Sequence, residues 1–185
     1  MSDIKFKKLS WMEFYQDCIE LYEKKLKTQK IDLIVSITRG GNIVSRIYSD
    51  LLGIIPISNI TMNSYKDLKK LKRPIITEEP TRDFTGKTIL IVDEISDTGA
   101  TFEIAVEYFK NKKVKKILTL SPYIKPETTF KPDFWYKNID AWIVFPYEIR
   151  ETYEGFVKIL GSHKHAIQKM EEIGFLKWEI DAVTL

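Results

Sequence analysis

The sequence predicts an α/β fold, a mainly parallel twisted sheet flanked by helices. Three observations lead to it. Residues 89–92 read Ile-Leu-Ile-Val, the continuous apolar run expected of a parallel strand buried on both faces. That strand and an earlier β-branched one, residues 31–37, each run into a glycine-containing turn that opens a helical stretch. Strand and helix patterns then alternate along the chain, as in parallel βα architectures.

Each element has a local reason. Ser10-Trp11-Met12-Glu13 is a capping box, and Trp11, Phe14, Tyr15, Cys18, Ile19, Tyr22 and Leu26 follow at helical spacing. Residues 42–52 read as a helix stopped by Gly53. Residues 54–62 form the next strand. Residues 63–86 lack clear periodicity and carry four lysines, two arginines and two prolines. They predict a long mobile loop, a kind of segment that usually serves function. After the strand at 88–92 comes an amphipathic helix from Phe102 to Lys110. Further strands are expected at 114–120 and 139–145, and helix from about Thr152 onward. No repeat or second domain is visible, so residues 1–185 are expected to form one domain.

Composition narrows the class. The 185 residues are 44% hydrophobic and 30% charged, ordinary for a globular protein. No apolar run approaches the roughly 20 residues of a membrane span. The charged first ten residues lack the apolar core of a signal peptide. The expected location is cytoplasmic, with no membrane partner. The formal net charge of +3 gives no footprint for nucleic acid. The single cysteine, Cys18, excludes an internal disulfide and reads as a small buried hydrophobe. Only five of the 29 basic residues are arginines, so each is worth weighing as a phosphate fork.

The chemistry concentrates at residues 93–101. Three carboxylates, Asp93, Glu94 and Asp97, come within five residues, followed by Thr98-Gly99-Ala100-Thr101 at a helix start. The first-turn amides lack helical acceptors, and the helix dipole favours negative charge there. Gly99 lets backbone approach a phosphate closely. Acids beside such a cradle repel a lone phosphate, but they suit hydroxyls of a ribose bound next to it. The run closely resembles the 5-phosphoribosyl-1-pyrophosphate (PRPP) motif of type I phosphoribosyltransferases. By that resemblance Asp93 and Glu94 hold the ribose diol, and Thr98, Gly99, Ala100 and Thr101 hold the 5′-phosphate. The second acid is Glu rather than the commoner Asp, which leaves its geometry open.

Other segments extend the resemblance across residues 31–148. Thr38-Arg39-Gly40-Gly41-Asn42 is similar to the family's pyrophosphate loop, with Arg39, Gly40 and Gly41 as its binding groups. It is no Walker loop, because the later Gly-Lys pair is missing, and no GxGxxG opens a dinucleotide-binding unit. Ser64-Tyr65 resembles the pair that begins the mobile catalytic loop (residues 63–86 here) of the 6-oxopurine phosphoribosyltransferases, and the Leu-Lys-Lys-Leu-Lys-Arg run resembles the bacterial xanthine-guanine branch. Lys125, and the stretch from Asp140 to Glu148 with Trp142 and Ile143, resemble the purine-recognition hood of that branch, about 121–150. A lysine only donates, so Lys125 would accept a 6-oxo group and reject a 6-amino group. Lys131 offers a rival register. Trp142 reads either as a stacking ring or as core, and Glu148 as a purine contact, a metal-water contact or a strand-end acid.

The resemblance implies a type I phosphoribosyltransferase fold with a mobile loop and a small hood. It implies transfer of the phosphoribosyl group of PRPP to guanine, hypoxanthine or xanthine, giving a nucleoside 5′-monophosphate and pyrophosphate in purine salvage. It also implies Mg2+, held through water by Asp93 and Glu94 with Glu148 as a further ligand candidate, and a homodimer or homotetramer. Asp97 and Arg39 are the candidate catalytic residues. Two alternatives stay open: an adenine or pyrimidine acceptor, and a PRPP-sensing nucleic-acid-binding regulator. No nucleic-acid partner is expected, since no helix-turn-helix segment accompanies the motif.

Overall fold

A five-stranded sheet carries the larger of two compact units. The computed structural model describes residues 4–66 and 69–184, and the side chains at 64–66 and 69–72 lie outside that description. The chain divides within its first helix: residues 17–139 form one unit, and the N-terminal residues up to 16 join 140–185 in the other.

In the larger unit the strands are β2 (Leu33–Thr38), β3 (Ile57–Lys66), β4 (Lys69–Glu78), β5 (Thr88–Val92) and β7 (Lys116–Leu120). Their order is β4-β3-β2-β5-β7, and every pair is parallel except β3 with β4. β5 is buried at all five positions, as its unbroken apolar run requires. Helices α2 (Gly41–Leu51) and α3 (Ala100–Lys110) follow β2 and the β5 region. Leu33, Val35, Ile37, Ile89, Ile91, Phe102, Ala105 and Phe109 share one core cluster. α2 ends where expected, with Gly53 in the left-handed region at φ +94°.

Two expectations change. Residues 63–66 and 69–78 form antiparallel strands rather than a loop without regular structure. Register shifts between Thr61 and Met62 and between Asn63 and Tyr65 break the two-residue alternation, and β4 is an edge strand rich in lysine, a usual device against edge pairing. The first helix also departs from its predicted face. Phe14, Cys18, Leu21 and Leu26 are buried, but Trp11 and Tyr15 are exposed. α1 (Trp11–Leu21) passes into a π-helical turn, Tyr22–Leu26, in which the Lys27 amide donates to the Tyr22 carbonyl at 2.9 Å. The wider turn carries Leu26 inward five residues after Leu21. Ser10 caps the helix as expected, its Oγ accepting the Glu13 amide at 3.0 Å, while the Glu13 carboxylate pairs with Lys7 Nζ at 2.9 Å.

The second unit pairs β1 (Phe6–Lys8) in parallel with β10 (Trp142–Val144). Its C-terminal part is three helices, α4 (Ile149–Leu160), α5 (His163–Glu172) and α6 (Lys177–Thr184). Val144, Tyr153, Phe156, Met170, Phe175 and Ile180 form its core. Lys8 and Glu179 pair at 2.7 Å at the start of α6, where Glu179 also accepts the Leu176 amide. Among the described residues, no helix is long and apolar enough to cross a membrane.

Candidate active site

β2 and β5 lie side by side with Ser36 opposite Val92. Their C-terminal ends therefore release two loops next to each other, the place where open α/β sheets bind ligands. The loop from β2 runs through a cis Thr38–Arg39 peptide bond and exposed Arg39 into α2. Ser36 donates its hydroxyl to Asn42 Oδ1 at 2.9 Å, and the Asn42 amide donates to the Arg39 carbonyl at 3.1 Å. These bonds hold the turn from below. Both glycines answer a steric demand from the neighbouring loop. A Cβ at Gly41 would overlap the Val92 carbonyl oxygen, and one at Gly40 would overlap the Glu94 carboxylate.

The loop from β5 opens on the acids. Asp93 is buried. Its amide donates to the Leu120 carbonyl at 3.1 Å. Asp93 Oδ1 accepts the Glu94 amide at 3.0 Å, and Oδ2 accepts the Thr101 hydroxyl at 3.4 Å. Burial pushes the Asp93 carboxyl up to about 6, and the bonds from Glu94 and Thr101 offset only part of that. Glu94 is half-buried, whereas Asp97 and Thr98 are exposed. Gly99 takes φ +92° and starts α3. The turn thus presents first-turn amides beside two carboxylates and next to an arginine.

A second layer holds this loop. The short strands β6 (Ile95–Ser96) and β8 (Tyr123–Ile124) pair in parallel, and the Lys125 amide donates to the Ser96 carbonyl at 3.0 Å. Lys125 thereby follows β8 alongside the residue that precedes Asp97. Ser96 donates to the Phe130 carbonyl at 2.7 Å. The Thr129 amide and hydroxyl both donate to the Thr98 carbonyl, at 3.1 and 2.8 Å. Phe130 stacks on Phe102 with centroids 5.5 Å apart and lies directly against Gly99. Behind β8, buried Asp17 accepts the Tyr123 hydroxyl at 2.8 Å and the Lys137 ammonium at 2.7 Å. These partners were not legible in the sequence. Thr128, Thr129 and Phe130 contact residues about 30 positions away, and no local pattern marks them.

The larger unit therefore brings together Arg39, Gly40, Gly41, Asp93, Glu94, Asp97, residues 98–101 and Lys125. Lys131 is exposed and lies beyond Phe130. The side chains of Ser64 and Tyr65 lie outside the described residues. In the other unit Ile143 is buried and Trp142 is 62% exposed, so Trp142 is not core. Glu148 Oε2 accepts the Phe145 amide at 3.2 Å and closes the turn into α4. Cys18 is buried, its thiol pushed up to about 12 chiefly by burial, which leaves it inert as a nucleophile.

The phosphoribosyl transferase domain model matches residues 9–153. The chain belongs to the phosphoribosyltransferase family. It is 25% identical over 147 residues to the xanthine-guanine phosphoribosyltransferase of Idiomarina loihiensis, covering 78% of this chain and 88% of that one. Among solved structures it resembles a purine phosphoribosyltransferase from Pyrococcus horikoshii, at 34% identity and a TM-score of 0.70, over 77% of this chain and 93% of the other. It also resembles the Helicobacter pylori xanthine-guanine-hypoxanthine phosphoribosyltransferase, at 26% identity and a TM-score of 0.67, over 85% and 99% of the two chains. The family recognised in the motifs and the α/β fold expected of it are both borne out.

Among the described residues no group of three acidic, histidine or cysteine side chains could hold a metal. The donors present are the adjacent carboxylates Asp93 and Glu94. That set fits magnesium, which keeps several waters and takes one or two carboxylates together with substrate phosphates.

Proposed function

We propose that this protein is a purine phosphoribosyltransferase that joins the 5-phosphoribosyl group of PRPP to a 6-oxopurine. The products are the nucleoside 5′-monophosphate and pyrophosphate. One observation supports the reading: the acid pair and the turn after it leave β5 beside the Arg39-Gly40-Gly41 loop that leaves its parallel neighbour β2, with Gly40 against the Glu94 carboxylate. The names of the relatives support the purine class.

The chemistry follows from the groups present. A ring nitrogen of the base bonds to C1 of the ribose as the C1–oxygen bond to pyrophosphate breaks, through an oxocarbenium-like state of the kind seen in glycoside hydrolysis. The amides and hydroxyls of residues 98–101 hold the 5′-phosphate. Asp93 and Glu94 accept the ribose hydroxyls and orient the ring. Arg39 places a fixed positive fork on the departing pyrophosphate. Asp97, exposed beside the cradle, takes the proton that the imidazole ring of the purine loses. Magnesium held by Asp93 and Glu94 through water supplies Lewis-acid stabilisation when bound. Lys125 donates to the 6-oxo group. The family resemblance also assigns Trp142 and Ile143 of the other unit to the purine; there Trp142 is exposed and Ile143 is buried.

The test is pyrophosphate release from PRPP and magnesium with guanine, hypoxanthine, xanthine, adenine, uracil and orotate in parallel. Turnover of a 6-oxopurine, lost in Asp97→Asn, is the expected result. Turnover of adenine alone would keep the mechanism and overturn Lys125 as selector. Tight PRPP binding without turnover of any base would replace the enzyme reading with that of a PRPP sensor.

A further inference from the structure

Thr98 has its carbonyl doubly held. The Thr129 amide and hydroxyl both donate to it, and the same hydroxyl lies 3.1 Å from Glu103 Oε1. The C=O and N–H of a trans peptide point in opposite directions. Pinning the Thr98 oxygen toward Thr129 therefore turns the Gly99 amide hydrogen to the opposite side of the loop. That amide belongs to the phosphate turn, and its direction decides whether it can donate to an anion. The glycine itself does not settle this direction, because left-handed backbone without a side chain is conformationally permissive.

Thr129 is itself well anchored. Its neighbour Thr128 meets Ser96 Oγ at 3.0 Å, and the Phe130 carbonyl accepts that Ser96 hydroxyl at 2.7 Å. The Phe130 ring is stacked flat on Phe102, with 6° between planes. The Lys125 amide closes the other end on the Ser96 carbonyl. Residues 125, 128 and 130 are thus tied to Ser96, just ahead of the phosphate turn, and Thr129 is the point that meets the turn's first peptide plane.

We propose that Thr129 is a positioning residue that aims the Gly99 amide at the 5′-phosphate. The inference rests on the proposed function, since it assigns that turn to the phosphate of PRPP. Thr129 touches the turn at the Thr98 carbonyl and the first turn of α3 at Glu103, both on the phosphate side of the site, so its loss is felt as PRPP affinity and not as chemistry or base affinity.

The experiment compares the parent with Thr129→Val and Thr129→Ser. Valine keeps the shape and the backbone amide and removes the hydroxyl, and serine keeps the hydroxyl. The readouts are the calorimetric Kd for PRPP and, with guanine as acceptor, kcat and the two KM values. The expected result is a 3- to 10-fold weaker Kd and KM for PRPP in Thr129→Val, roughly the worth of one net hydrogen bond. The KM for guanine and kcat should stay within about twofold, and Thr129→Ser should recover the parent values. A Thr129→Val protein that binds PRPP like the parent overturns the inference and leaves the proposed function standing. So does a loss shared equally by guanine KM and kcat, which a general loosening of the fold would produce. A parent that neither binds PRPP nor releases pyrophosphate overturns both.

Discussion

Replacing Gly99 by alanine tests the phosphate turn most directly, because two separate costs meet there. At φ +92° an L side chain pays about 1–2 kcal/mol for left-handed backbone. An alanine Cβ would also stand 2.5 Å from Phe130 Cβ and 2.6 Å from Phe130 N. Phe130 cannot retreat without leaving its stack on Phe102 and its bond from Ser96. Overpacking of this kind adds about 1–3 kcal/mol, for a total of about 2–5 kcal/mol. In a chain of this size that lowers the melting temperature by about 4–20 °C. Gly53→Ala provides the control. Its φ is +94°, yet nothing lies within 4 Å of the added carbon, so it carries the backbone cost alone. Thermal unfolding should rank parent, Gly53→Ala and Gly99→Ala in falling order. The pyrophosphate assay should show KM for PRPP raised at least about tenfold in Gly99→Ala only, since the turn must shift to clear Phe130. A Gly99→Ala protein that melts with Gly53→Ala and keeps the parent KM would refute both the packing argument and the assignment of the turn.

Three further outcomes follow from the same geometry. Asp97→Asn should lower kcat by about 10²–10⁴-fold, the usual worth of a positioned acid or base, with PRPP affinity nearly unchanged; equal loss in PRPP affinity would make Asp97 a binding residue instead. Asp93 is held near 6 against an ordinary 3.8, so between those values the folded protein keeps a proton the unfolded chain has lost. Stability should therefore fall as pH rises from about 4 to 6 and then level off. Asp93→Asn should remove that slope while losing PRPP affinity, and an unchanged slope in the variant's unfolding curves would assign it elsewhere. Gly40→Ala should raise KM for PRPP by displacing the Glu94 carboxylate, and adding Glu94→Asp, one methylene shorter, should restore part of it. A double-mutant cycle in PRPP binding that comes out additive would separate the two loops energetically.

The parts legible in the sequence are those whose causes are local. Ile89, Leu90, Ile91 and Val92 are unbroken because both faces of β5 are covered, and Ser10 and Glu13 form their cap within one turn. The acid pair, Gly99 and the start of α3 lie within eight residues, so strand, loop and helix signals fall in register. What escaped reading has distant causes. β4 hid because its polar edge and two register shifts erase alternation. Trp11 and Tyr15 continued an apolar period that the fold exposes, and Leu21, outside that period, is buried instead. Thr129 has nothing beside it in the chain to announce a partner 31 residues earlier.

That contrast separates the two halves of the proposed reaction. The anion-handling half is made of backbone amides, glycines and two acids at the ends of β2 and β5. The parallel register that sets Ser36 opposite Val92 also presses Gly41 onto the Val92 carbonyl. A side chain added at Gly40 or Gly41 would therefore press on the loop from β5. The base-handling residues instead sit after the two-residue strand β8 and in the three-residue strand β10. Neither strand is long enough to impose a pattern. The Lys125 amide bonds to the Ser96 carbonyl and the Trp142 amide to the Lys5 carbonyl, so backbone pairing helps set where each residue stands. Under the proposed function, base preference turns on a few side chains outside the PRPP-facing loops, in keeping with one fold serving many functions, and selectivity must be measured on Lys125 itself.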